Sequence, residues 1–166
     1  MSRLEAFPPI TAASAHTLIL GSMPGAASLA AGQYYAHPRN LFWPIIEAVL
    51  GIDARQPYAE RTRQLAALGF ALWDVLAACR RPGSLDARID RDSMELNDFA
   101  TFLREHRHVA RVFFNGGTAE RLFRRHVAPA LAGHGPLAMA RLPSTSPANA
   151  SVPYDAKLAA WRRIAA

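Results

Sequence analysis

The chain has 166 residues, 51% hydrophobic and 19% charged, with a net charge of +6 and a pI near 10.4; this suits one domain over 1–166 and excludes a disordered chain. A single cysteine, Cys79, excludes a disulfide framework, a four-thiolate zinc site and an iron–sulfur cluster. No apolar run approaches the ~18 residues of a membrane span and no basic-then-apolar leader opens the sequence, so a cytoplasmic protein without a membrane partner is expected.

In chain order, the apolar run 16–23 ends in a Gly/Pro turn and predicts a buried strand. Helical spacing over 40–51 predicts a helix with Asn40 as its N-cap and Gly51 as its stop. A second amphipathic helix is expected over 58–69, then a second strand over 70–77. Residues 79–93 read as a polar, arginine-rich loop, and 93–106 as a helix. A strand at 111–116, a helix at 117–131, a strand at 137–144, a turn at 144–151 and a helix at 154–164 complete the chain. Apolar strands separated by helices predict an α/β fold: a three-layer αβα sandwich around a central four-stranded parallel sheet. Ligands of such sheets bind beyond the carboxyl ends of the strands.

Four segments fall at those ends, and the loop 32–43 follows the first of them. Gly21, Ser22, Met23, Pro24 and Gly25 form a tight turn whose N–H groups can face an anion or a carbonyl; its glycine spacing is that of neither a dinucleotide site nor a P-loop, and an ordinary strand-to-loop turn is the competing reading. In 32–43 two tyrosines, a His-Pro pair, Arg39 and Asn40 crowd one loop. Tyr35, or less favourably Tyr34, can stack on a planar ligand, while Asn40 serves either as a helix cap or as a functional amide. Asp74 caps or pairs with an arginine, or else reads a ligand. Asn115 either terminates its strand or contacts the same ligand. In 142–150, Ser144, Thr145 and Ser146 lie between two prolines, a stiff loop able to approach a phosphate backbone; a plain surface connection is the alternative.

Lys157 is the sole lysine among nineteen basic residues. The arginine bias matches a GC-rich genome, as does the abundance of alanine, but the positive excess does not follow from that and suits a polyanion, nucleic acid first. The six histidines lack metal-ligand spacing, and neither Ser22 nor Ser144 sits in a nucleophile-elbow sequence. Neither metal nor cofactor is expected.

Taken in order, GSMPG, YAHPRNLFW and LPSTSPA resemble the motifs of the uracil-DNA glycosylase superfamily, over about Leu18 to Trp161. Within it the resemblance is to the hypoxanthine-DNA glycosylase branch. The departure is Met23: other branches carry a catalytic Asn or Asp there, and a thioether cannot position water. The resemblance implies a monofunctional enzyme that hydrolyses the N-glycosidic bond of a deaminated base, hypoxanthine first, in base excision repair. Asn40 then orients water, Tyr35 stacks on the base and Asp74 accepts the base N1–H. The turn Gly21–Gly25 meets the developing charge and Asn115 adds a base contact. Arg39, Arg80, Arg81 and the Ser144–Ser146 loop, which would press into the duplex, meet phosphates. The expected partner is double-stranded DNA, with single-stranded DNA as a further candidate, and the expected state a monomer. Competing readings are a uracil or mismatch-specific glycosylase, a non-catalytic damaged-DNA binder and a small-nucleotide hydrolase.

Overall fold

The computed structural model describes residues 2–166. Its central sheet contains β2 (Thr17–Gly21), β3 (Phe70–Asp74), β6 (Arg111–Asn115) and β7 (Ala138–Leu142), in the order β3-β2-β6-β7 and parallel throughout. Alternate residues of each strand feed opposite faces, as the two-residue strand period requires. Leu18, Leu20, Trp73, Val112 and Phe114 pack on α4 (Phe99–Glu105) and α5 (Gly117–Leu122). Ile19, Leu72, Phe113 and Leu142 pack on α2 (Phe42–Leu50), α3 (Tyr58–Ala67) and α6 (Tyr154–Trp161). Helices therefore cover both faces, and the inner strand β2 and its neighbour β3 are buried along their whole length, while β7 at the edge keeps Ala138 and Arg141 exposed.

A second sheet was not expected. It is antiparallel, with β1 (Arg3–Glu5), β4 (Leu76–Arg80) and β5 (Asp90–Leu96) in the order β1-β4-β5. The apolar run read as one strand over 70–77 changes sheets at Val75, whose N–H bonds the Gly21 carbonyl at 2.9 Å while Leu76 bonds that of Ser22 at 3.1 Å. Residues 93–96, expected to open a helix, lie in β5. The helix starts at Phe99 instead, where Asp98 accepts from the Thr101 N–H at 3.0 Å, the capping bond that stops a strand from continuing.

Two further differences bear on the strand ends. The short helix α1 (Ala26–Ala31) directly follows the first turn. Also, α2 begins at Phe42 with Leu41 in the cap position, while Asn40 supplies the capping oxygen, its Oδ1 accepting from Phe42 N–H at 2.9 Å. Gly51 terminates that helix in the left-handed conformation expected of a C-terminal glycine. Among the described residues no helix is long and apolar enough to cross a membrane.

Candidate active site

The carboxyl ends of β2, β3, β6 and β7 surround a crevice of about 430 Å³, within the range of small-ligand sites. Gly21–Gly25, Tyr35, Asn40, Asp74, Asn115 and Ser144–Ser146 all line it. The side chains singled out from five separate stretches of sequence thus meet around one hollow.

The first turn is held from behind. Its carbonyls at Gly21 and Ser22 accept from Val75 and Leu76, and that of Pro24 accepts from Arg81 Nη2 at 2.7 Å. With these oxygens engaged, the N–H groups of Ser22, Met23 and Gly25, on residues that line the crevice, have no protein acceptor and can serve as donors. Met23 is itself buried in a small apolar cluster with Leu76 and Cys79, so its side chain serves as packing under the turn.

Gly21 is required by space. A Cβ there would sit 2.5 Å from Asp74 Oδ1 and 3.0 Å from the Tyr35 hydroxyl, so both oxygens converge on one point at the crevice floor. Asp74 is 2% exposed, and its Oδ2, like the Tyr35 hydroxyl, is buried without a hydrogen-bond partner. Burial first, and then the nearby Asp86 carboxylate, push the Asp74 carboxyl up to about 8, with Arg81 opposing. A buried polar atom with no partner costs free energy unless something supplies one, which marks this floor as a place for a ligand's hydrogen bond.

Tyr35 is the single non-glycine residue with positive φ (57°) among the described residues, a conformation that a bulky side chain adopts only where its surroundings impose it. The surroundings are visible. Ser28 Oγ accepts from Ala36 N–H at 3.1 Å, the Trp43 indole donates to the Tyr34 carbonyl at 3.0 Å, and Tyr34 N–H donates to the Tyr58 hydroxyl at 3.0 Å. One face of the Tyr35 ring packs on Phe42, with ring centres 4.2 Å apart. Burial and then Asp74 raise the Tyr35 hydroxyl above the usual phenol range, keeping it protonated. Tyr34 is 3% exposed and donates to the Pro8 carbonyl at 3.0 Å, a core residue whose hydroxyl is occupied.

Asn40 serves as cap and crevice wall together. Its Oδ1 accepts the Phe42 N–H but retains a second lone pair, and its NH₂ has no protein acceptor. Asn115 spends its amide on the closing loop, donating from Nδ2 to Thr145 Oγ1 at 3.0 Å and accepting from Thr145 N–H at 2.9 Å.

Two expected phosphate contacts are corrected. Arg81 is 4% exposed and bonds the carbonyls of Gly83 and Pro24, so its guanidinium braces the turn from inside and is closed to a phosphate. Thr145 is fully buried, its hydroxyl and N–H committed to Asn115. Ser144 and Ser146 remain half-buried on the crevice wall. Arg39 is exposed, with its N–H on His37 Nδ1, and Arg80 pairs with Asp90 at 2.9 Å on the antiparallel sheet.

Sequence reasoning passed over 84–86. Ser84, Leu85 and Asp86 line the crevice; Ser84 Oγ accepts from Ala26 N–H at 2.8 Å, and the Ser22 hydroxyl donates to Asp86 Oδ1 at 2.8 Å. No local pattern announces a loop that reaches a site through a second sheet. His37 and Arg141 line the crevice too, and only the fold reveals it.

The sequence model of the uracil DNA glycosylase superfamily matches residues 8–165. A hypoxanthine DNA glycosylase of Methanosarcina barkeri is 35% identical over 113 residues, covering 68% of this chain and 70% of the relative. One from Methanosarcina acetivorans is 33% identical over 144 residues, 86% of each chain. The solution NMR structure of a candidate uracil DNA glycosylase from Methanosarcina acetivorans superposes with a TM-score of 0.82 at 29% identity, covering 98% of this chain and 96% of that one. With nearly its whole length matched and the superfamily's fold reproduced, the chain belongs to the uracil DNA glycosylase superfamily.

Proposed function

We propose that this chain is a monofunctional DNA glycosylase that hydrolyses the N-glycosidic bond of a deaminated base, hypoxanthine foremost. The carrying observation is the unpartnered Asp74 oxygen on the floor of a crevice whose wall includes Asn40 and Tyr35. The two relatives named hypoxanthine DNA glycosylases support it.

A base inside a duplex is out of reach of such a floor and must be extruded. Hypoxanthine then presents an N1–H donor, which the ionised Asp74 accepts. Adenine presents a lone pair at N1 and meets the carboxylate acceptor to acceptor, a mismatch that leaves buried polar atoms unpaired. Tyr35, backed by Phe42, provides a ring on which the base continues the stack.

Bond rupture leaves an oxocarbenium-like sugar and an anionic base. The free N–H groups of Ser22, Met23 and Gly25 supply fixed dipoles for that anion. Asn40 orients water toward the sugar through its NH₂ and its remaining lone pair; an amide positions water without deprotonating it. Arg39, Ser144 and Ser146 are the groups offered to backbone phosphates, on double-stranded or single-stranded DNA alike. The protein acts as a monomer in this reading.

Single-turnover excision from oligonucleotides carrying inosine, uracil or xanthine tests the assignment, with Asn40→Ala and Asp74→Ala beside the parent. Release of hypoxanthine by the parent and its loss in both variants is expected. Preference for uracil, whose N3–H also satisfies Asp74, would move the assignment to a uracil glycosylase. Binding without cleavage would reduce the protein to a damage-recognition module.

A further inference from the structure

We propose that Leu85 is the apolar wedge that enters the duplex when the base leaves it. This rests on the glycosylase reading above. The closing loop that the sequence motif nominates for pressing into DNA has no long apolar side chain; its one apolar ring, Pro147, is half-buried. The loop consists of Ser144, Thr145, Ser146, Pro147, Ala148 and Asn149, and Thr145 is buried against Asn115. Something else must occupy the vacancy, because an unfilled gap lets the base fall back into its stack.

Among the described residues four large apolar side chains are exposed, and Leu85 is the most exposed at 53%. Leu68, Leu96 and Tyr154 lie outside the crevice; Leu85 lies on its rim. An isolated exposed leucine needs no explanation, but this one is presented by a braced loop. Immediately before it, Ser84 Oγ accepts from Ala26 N–H at 2.8 Å; immediately after it, Asp86 Oδ1 accepts from Ser22 at 2.8 Å. Below, Arg81 ties the Gly83 carbonyl to that of Pro24. Each tie but the Gly83 bond runs to the first turn or to the start of α1, so Leu85 is fixed relative to the groups that receive the base. Leucine is among the apolar residues able to part a base step.

The test compares parent, Leu85→Ala, Leu85→Met and, as an exposed control outside the crevice, Leu68→Ala. Two readouts are taken: excision of hypoxanthine from duplex and single-stranded oligonucleotides, and the fluorescence of a 2-aminopurine placed beside inosine in the duplex. For Leu85→Ala the duplex-to-single-strand rate ratio falls by about tenfold or more, since only the duplex must be unstacked. Its fluorescence rise on binding is lost as well. Leu85→Met restores much of both, and Leu68→Ala matches the parent. An unchanged ratio and signal in Leu85→Ala, or equal losses on both strand forms, overturns the wedge. If the parent releases hypoxanthine from neither form, the glycosylase reading fails by itself, and the fluorescence still decides the wedge.

Discussion

Asn115 and Thr145 grip each other at two points, the Asn115 amide donating to the Thr145 hydroxyl at 3.0 Å and accepting from its N–H at 2.9 Å. The pair joins the end of β6 to the loop after β7, across the crevice wall. Leu41 N–H adds a third tie, to the Thr145 carbonyl at 3.0 Å, so the closing loop, the strand end and the entry to α2 share one residue. Asn115→Ala leaves a buried N–H and hydroxyl without partners and is expected to cost about 1–3 kcal/mol. Thermal denaturation measures the loss, and faster hydrogen exchange at Thr145 would locate it in this loop.

Asn40 has two duties that substitution can separate. Asn40→Ala removes the cap oxygen as well as the amide, which lowers stability by about 1 kcal/mol and, by freeing the water, lowers single-turnover excision by about a hundredfold. Asn40→Asp keeps an oxygen for Phe42 N–H and sets a negative charge at the start of α2, so stability holds. Excision by Asn40→Ala at the parent's rate would remove this amide from the reaction.

The carboxyl on the crevice floor makes both folding and activity depend on pH. Folding raises Asp74 to about 8, so the folded state holds this proton more tightly than the unfolded chain. Its contribution to stability is full below the ordinary carboxyl range and is lost as pH climbs toward 8. Denaturant midpoints should decline over that window in the parent and decline less in Asp74→Asn. Because the ionised form accepts N1–H, kcat/KM on inosine should rise with pH through about 8. A flat profile would separate the carboxyl's ionisation from recognition.

Gly21→Ala drives a methyl against Asp74 Oδ1, whose place lies 2.5 Å away. Neither partner can retreat easily: Asp74 is in the sheet and Tyr35 is packed on Phe42. Overpacking of this kind costs about 1–3 kcal/mol. Because the floor itself is displaced, hypoxanthine excision should fall more than undamaged-duplex binding, measured side by side by cleavage and anisotropy.

A lyase step requires an amine to form a Schiff base with the sugar. Lys157, the sole lysine, is buried in α6 and absent from the crevice wall. Borohydride added during turnover on an inosine duplex should therefore trap no covalent adduct; a trapped complex lost in Lys157→Ala would contradict the hydrolytic reading.

The parallel sheet was legible because each of its strands is a short apolar run ending in a turn or a polar residue, and the helices because Asn40, Gly51 and Gly69 punctuate them. What escaped was the second sheet. Val75 looks like any residue of an apolar run, yet there the chain leaves one sheet for another. In β5, exposed Glu95 and Leu96 and half-buried Ser93 and Met94 carry no clean alternation, since the small sheet covers little core. The crevice residues Tyr35, Asp74 and Asn40 were readable as strand-end chemistry. Arg81 was not, because an arginine beside Pro82 and Gly83 looks solvated until the fold wraps the turn over it.

The antiparallel sheet also ties the amino-terminal segment to the rim. Leu4 stands opposite Cys79 and Arg3 opposite Arg80, and Arg3 reaches across to Glu95 at 2.7 Å, on the two strands that flank the segment carrying Leu85. Trimming Arg3–Glu5, or burying them under a fused tag, would unzip the outer edge of that support. A preparation altered in this way would keep its intact parallel core and its melting behaviour there, yet grip a damaged helix less firmly; fusions are better joined elsewhere.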